Sequence, residues 1–437
     1  TIEGWAGGGN GRGGAVKLWS NRSTYIQPPS GWIPSVGPVL IPSNMRAGIA
    51  RPDATQFPLS APVAWPESGG RIAIRANADS VSGSAAIHAF YGDANYLLNA
   101  AAYDANVMVC TPLTAGPDGS LYFGYTVEGA NPLNLVGGLA VVRPNGLGTF
   151  ITAAAMAGGD AGITQPQYNC APALSADGQL VYIAVSAGYS GRGYLCAVNT
   201  RTMLPKYHVA LQDPLNGSPA TVTSDSTSSP LIAPDGSVLF GVLENSLGTN
   251  NFRGYMLHFS YDLVTSYTPG GFGWDNTGSI IPSSFVASYK GQSPWLLLCK
   301  YNNYAGAGSG DGVNRIAVLD PDVETSNTNP TGGFVNNVNI MGVVQGLVGQ
   351  TPDPNNIATF HHAVKEWCVN SIAVDMINKS AICNSEDGSV YVWNLNNNTI
   401  TSKLALTAGI GEAYTSTVIG VNGWVYAISN ARLYGCQ

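Results

Sequence analysis

The chain reads as an all-β protein, a seven-bladed β-propeller, and three observations predict it. A phrase of small, small, Pro/Ser/Thr and apolar residues recurs about seven times along the 437 residues. A Gly-containing turn follows each copy, and an apolar β-run follows each turn. A repeat of this kind marks a radial array of small sheets, each too small to bury its faces alone.

The copies are Ser60-Ala61-Pro62-Val63, Cys110-Thr111-Pro112-Leu113, Cys170-Ala171-Pro172-Ala173, Ser228-Ser229-Pro230-Leu231, Val369-Asn370-Ser371-Ile372 and Thr415-Ser416-Thr417-Val418, with a degenerate one at Ile280-Ile281-Pro282. Each opens a blade as its first strand. The turns that follow include Gly69-Gly70, Asp118-Gly119, Asp177-Gly178, Asp235-Gly236 and Asn422-Gly423. Asp-Gly and Asn-Gly supply positive φ at little steric cost and so favour tight hairpins. Second strands are nearly continuous apolar runs, as in Leu180-Val181-Tyr182-Ile183 and Trp295-Leu296-Leu297-Leu298. Such runs imply burial on both faces. Third strands answer at Tyr194–Val198, Tyr255–Phe259, Arg315–Leu319 and Val390–Trp393, and weaker fourth strands at Tyr207–Leu211 and Thr399–Leu404.

The last repeat stops after its third strand, so residues 1–59 are expected to supply the missing outer strand, with Ala15–Trp19 as the candidate and Gly7–Gly14 as a loop. Pairing of the two chain ends would leave no open sheet edge. The whole chain is then one domain: 1–59 closing strand and loop, 60–413 six blades, 414–437 the last. The long interval between Gly291 and Asn378 could hold an eighth blade around Phe334–Val338; seven blades with an insertion at about 340–367 is the preferred reading. Ile357, Phe360, Val364 and Trp367 recur at helical spacing there and predict a helix.

Charged residues are only 10% of the chain, against about 25% in ordinary soluble proteins. Net charge is −7 with no basic stripe, which argues against nucleic acid as a partner. No apolar stretch is long enough for a membrane-spanning helix. Thr1 in place of Met suggests a signal peptide already removed, and hence an extracellular or cell-surface location. None of the seven cysteines sits in a C-x-x-C pattern, and in an oxidising compartment an odd count leaves at least one thiol free or paired between molecules.

Two segments carry a family resemblance: Ser229-Pro230-Leu231-Ile232-Ala233-Pro234-Asp235-Gly236-Ser237-Val238-Leu239-Phe240 and Ser385-Glu386-Asp387-Gly388-Ser389-Val390-Tyr391-Val392-Trp393. This blade grammar resembles the quinoprotein-like (PQQ-like) β-propeller repeats over most of residues 60–437. The resemblance implies the fold. The dehydrogenases of that family carry a vicinal disulfide, and no two cysteines are adjacent here. No cofactor is therefore predicted.

Connections between blades line one mouth of a propeller, so residues just before each first strand are the candidates for ligand binding: Gln167, Tyr168, Asp225, Trp274, His361, Trp367 and Tyr414. His362 and Glu366 would share a face of the expected helix and could act as base and acid, or simply hydrogen-bond each other. They are the catalytic candidates, and no metal set can be completed around them. Cys110 and Cys170 head equivalent phrases and could form a disulfide or fill two small buried slots. Gly-x-Ser-x-Gly, P-loop and HExxH motifs are absent.

These observations favour a secreted, non-catalytic binding or structural module. Its expected partner is itself, in a lattice or filament, or an extracellular polymer. An extracellular enzyme acting on a carbohydrate or related polymer is the alternative, and a quinone-dependent oxidoreductase comes third.

Overall fold

The computed structural model describes residues 2–3, 39–40, 62–76, 84–224, 228–407, 416–420, 423–430 and 432–436. Among them the chain is mostly β and antiparallel, with three short α-helices at Asp93–Leu98, Ala100–Asn106 and Ala153–Met156. The strands form seven sheets of four or five strands and one two-stranded ribbon.

Strand order within a sheet follows chain order. The fourth sheet runs Leu231–Ile232, Val238–Val242, Tyr255–Phe259 and Ser266–Gly270. The fifth runs Ser279–Pro282, Trp295–Tyr301, Arg315–Thr328 and Phe334–Val348. The sixth runs Ala373–Asp375, Ser380–Asn384, Ser389–Asn394 and Thr399–Ala405. Second strands are the most buried, as their apolar runs require: all residues of Trp295–Tyr301 are inaccessible, whereas Thr399–Ala405 lies almost wholly exposed.

The first sheet departs from the sequence reading. Its first strand is Val39–Leu40, which pairs with Val63–Glu67 in the register Val39↔Ala64. Val63, expected to begin a first strand, therefore begins a second. The segment Phe334–Val338 is part of the long outer strand Phe334–Val348 and forms no blade of its own. At the C-terminus, Arg432–Cys436 pairs antiparallel with Ile2–Glu3. An N-terminal segment thus does extend the last sheet, through Ile2–Glu3; the candidate Ala15–Trp19 lies outside the described residues.

Each sheet packs on the next in sequence. One apolar core joins the second to fifth sheets, and three smaller cores join the first to the second, the fifth to the sixth and the sixth to the seventh. The recurring phrase makes the connections. Proline has no N–H to give to a sheet ladder. The first strands of the second and third sheets accordingly break around Pro112 and Pro172 into two pieces that pair with the same neighbour.

A polar side chain in the phrase, or in the fifth sheet Asn276 just ahead of the degenerate copy Ile280-Ile281-Pro282, then caps a main-chain N–H of the second strand. Thr111 Oγ1 accepts from Gly124 at 2.7 Å, Ser228 Oγ from Gly241 at 3.0 Å, and Asn276 Oδ1 from Lys300 at 3.2 Å. The next residue reaches the neighbouring sheet: Ala171 N–H donates to Ser229 Oγ, Ser229 N–H to Thr277 Oγ1, and Thr277 N–H to the Asn370 carbonyl. Small polar residues recur there because each must pair in two directions within a closed space.

Candidate functional site

Antiparallel alternation puts two kinds of loop at one end of every sheet: those joining second to third strands, and those crossing to the next sheet. The fourth, fifth and sixth sheets place segments 243–254, 271–278, 302–314, 349–372 and 385–388 at that end. About a third of the buried polar and charged side chains among the described residues lie in these loops, Glu244, Arg253 and Asp275 among them.

Glu244 and Arg253 anchor the first loop, and both are fully buried. Glu244 Oε1 accepts from the N–H groups of Gly248, Asn250 and Phe252, and Oε2 from Gly254. The carboxylate thereby organises a loop that carries left-handed residues at Asn251, Phe252 and Gly254. Only glycine fits at 254, where a Cβ would lie 1.9 Å from the Val242 carbonyl oxygen. Arg253 Nη2 donates to Asn250 Oδ1 at 2.8 Å and Asn327 Oδ1 at 2.7 Å.

The long third and fourth strands of the fifth sheet reach over this loop. Asn327 Nδ2 bonds Asn250 and Asn336, and Asn336 Nδ2 bonds the Tyr255 hydroxyl. Asn251 Nδ2 bonds Asn303 and Asn329, and Asn303 in turn bonds Asp311. Asparagine suits such a lattice because it donates and accepts from one short side chain. The Gly308–Gly312 turn is pinned by it: the Ser309 N–H donates to Asn251 Oδ1, and Thr331 donates to Asp311 Oδ2.

Lys300 occupies the position filled by Gly124, Ala184 and Gly241 in the second, third and fourth sheets. Its ammonium is buried and pairs with the Asp275 carboxylate. Burial raises the Asp275 pKa, while the ammonium opposes the rise. A second pair sits farther round the face: Lys365 lies 3.0 Å from Glu386 and 3.6 Å from Asp353. Burial disfavours the Lys365 charge, but the hydrogen bond and attraction to Glu386 outweigh it and hold its pKa up.

The expected helix around Phe360 is not formed. Residues 353–363 make successive turns, with Ile357 N–H bonded to Asp353 and Phe360 N–H to Asn356, and Pro352 bridges Val364. Beyond the turns the chain is bonded outward to three different partners: Val364 N–H to Gly312, Glu366 N–H to the Glu386 carboxylate, and Trp367 N–H to Asn302 Oδ1. These non-local bonds override the local 3.6-residue pattern.

His362 and Glu366 consequently share no helix face. His361 and His362 are exposed and line an open groove of about 440 Å³ with Val313, Pro330, Val348 and Ile357, and Glu366 is not among the lining residues. Trp367 is a core residue, fully buried and edge-on to Tyr391 at 5.2 Å. Gln167 is fully buried and its amide atoms have no hydrogen-bond partner among the described residues, Tyr168 is half-buried against Tyr189, and Trp274 is half-buried beside Asp275. Asp225 and Tyr414 lie outside the described residues.

Cys110 and Cys170 are both buried free thiols, as are Cys196, Cys299 and Cys383; Cys368 is buried as well. Of the two readings open for them, a disulfide or two small buried slots, the structure shows the second. The two cysteines are offset from one another by one residue of register. Pairings Thr114↔Tyr122 and Ala173↔Tyr182 make Thr111 the counterpart of Cys170. Cys110 instead holds the neighbouring sheet through its carbonyl, which accepts the Asn169 N–H.

The asparagine lattice escaped sequence reasoning. Its signal was the recurrence of Asn-Asn at 250–251, 302–303 and 336–337, which belongs to no catalytic or ligand-binding pattern.

A scan against known protein families finds no match, and neither does a search of the curated proteins. Among solved structures, the C-terminal WD40 domain of Sif2 is similar with TM-score 0.44 and 13% identity, over 87% of this chain and 76% of that one. BamB from Moraxella catarrhalis gives TM-score 0.44 and 11% identity, over 86% and 78%. The computationally designed Ika8 protein gives 0.44 and 9%, over 87% and 81%.

Proposed function

We propose that the chain closes into a seven-bladed β-propeller and serves as a secreted or cell-surface, non-catalytic module that binds copies of itself or an extracellular polymer. The succession of seven sheets, each packed on the next, supports the ring, and the Ile2–Glu3 strand beside Arg432–Cys436 supports its closure. One observation carries the non-catalytic reading. The polar side chains of the loop face, Glu244, Asn250, Asn251, Asn303 and Asn327, spend their hydrogen bonds on one another and on main chain. Groups committed in this way hold loops in place and offer little to a reacting substrate. Low charge density also permits close approach of copies.

Light scattering and negative-stain microscopy over a hundredfold concentration range test this reading. Oligomers or filaments that grow with concentration are expected. A protein that stays monomeric and sediments with no insoluble polysaccharide, or one that hydrolyses such a polysaccharide, refutes it.

A further inference from the structure

Lys300 lies near the end of Trp295–Tyr301, a strand buried at every residue. Its Nζ is 5.3 Å from the ring centroid of Phe272, which is also inaccessible. On its other side Nζ is in direct contact with Asp275 Oδ1, and only 1% of the lysine side chain and 7% of the aspartate side chain are exposed. A buried ion pair adds little to stability, because taking both charges out of water costs about as much as their attraction returns.

The crossover that carries Asp275 is tied down from three directions. The Asn276 carbonyl accepts from Ser228 Oγ at 3.0 Å, and the Asp275 carbonyl accepts from Asn370 Nδ2 at 3.1 Å. Asn276 Oδ1 accepts the Lys300 N–H at 3.2 Å, which joins the crossover to the strand beside the ion pair. A nitrogen nucleophile and an acyl carbon are thus fixed against each other in one enclosed place. Intramolecular reactions gain most in rate and equilibrium under that condition.

We infer that Lys300 and Asp275 join in an isopeptide bond, Nζ to Cγ, formed by the folded chain itself. Burial favours the neutral form of each group, so the ammonium passes one proton to the carboxylate and leaves an amine beside a carboxylic acid. The burial that raises the Asp275 pKa acts in this sense. The amine lone pair adds to Cγ, the C–O bond breaks, and the hydroxyl leaves with a second nitrogen proton as water. Ammonium and carboxylate thus give a secondary amide and one water, with no change of oxidation state. Asn276 Nδ2 is buried without a hydrogen-bond partner among the described residues, a spare donor for the oxygen charge that builds during addition. The product is neutral, which removes the cost of burying two charges, and it ties the crossover 271–278 covalently to the second strand of its sheet.

The mass of the full chain, taken after folding and then denaturation, provides the direct test and needs no variant. A mass lower than that of the sequence by one water is expected; the full sequence mass overturns the inference. Trypsin locates the bond. Cleavage after Lys300 should fail, and the peptide 291–315 should be recovered joined to the peptide 254–290. A succinimide at Asp275 would lose the same mass but leave the two peptides apart and Lys300 cleavable, and that result also overturns the inference. Lys300→Met, measured in the same way, should show the full mass of its own sequence whether or not it folds. A water still missing from that variant places the loss elsewhere and refutes the bond.

Discussion

Replacing Ser228 by Ala tests whether the recurring phrase holds the array together. Ser228 Oγ accepts the Gly241 N–H at 3.0 Å within its own sheet and donates to the Asn276 carbonyl at 3.0 Å across to the next. All three groups are buried, and Ser228 itself is inaccessible. Alanine removes both bonds and leaves little room for a water, because a Cβ on Gly241 would lie 2.7 Å from the serine oxygen and 1.9 Å from the Gly273 carbonyl oxygen. An unpaired buried donor or acceptor costs about 1–3 kcal/mol, with the donor toward the upper end, so the pair should cost about 2–4 kcal/mol. Urea unfolding followed by tryptophan fluorescence measures the loss, and native-state hydrogen exchange locates it at the Gly241 amide. Thr111→Val, an isosteric change that strands the Gly124 N–H and removes the hydroxyl's bond to the adjacent Pro112 carbonyl, should cost about 1–3 kcal/mol. A Ser228→Ala loss below about 0.5 kcal/mol, within the range of ordinary surface substitutions, would refute the reasoning.

Two further predictions concern ionisation and thiols. His258 is buried with Nε2 2.8 Å from Ser237 Oγ, and burial pushes its pKa down to about 4, against a smaller pull from Asp235. The unfolded chain then binds a proton that the folded protein refuses between about pH 6.5 and pH 4. Stability attributable to this residue is complete above about pH 6.5 and declines as pH falls toward 4, by up to roughly 3 kcal/mol. His258→Gln should flatten that part of the pH–Tm curve, and an unchanged slope would rule the histidine out. Burial also pushes the Cys170 and Cys299 thiols up to about 12, and Cys436 is the one half-buried cysteine. Maleimide at pH 7.5 should therefore label Cys436 first in the folded protein and all seven thiols in denaturant without reductant; five thiols in denaturant would restore a disulfide.

The strands were legible because their cause is local. Gly-containing turns and apolar runs set them, so Tyr255–Phe259 falls where the sequence puts it. The helix at Phe360 was misread for the opposite reason. Its apolar spacing is real, but Val364, Glu366 and Trp367 are bonded to residues 52, 20 and 65 positions away. Nothing within a short window reports those partners. For Cys110 and Cys170 the sequence leaves a disulfide and two buried slots open, and a phrase with Cys and Thr in adjacent positions hides the one-residue offset in register between them.

The least legible feature is the one with the most physical consequence. A buried Arg253 in a chain with so few charges has the same letter as a surface arginine, and only the fold shows that its neighbours are asparagines. Amides orient and satisfy a guanidinium but do not neutralise it. A protein that builds its loop face from Asn in place of Asp gains close, weakly repelling surfaces and gives up internal counter-charges. Where such a chain still buries a cation, a carboxylate is kept nearby for it, as Asp275 is for Lys300 and Glu244 on the loop of Arg253. Low charge density and these singly kept carboxylates are thus two consequences of one compositional choice; Glu244→Gln, which keeps the shape of the side chain but removes the charge facing Arg253, should lower Tm, and an unchanged melt would refute the pairing of the two charges.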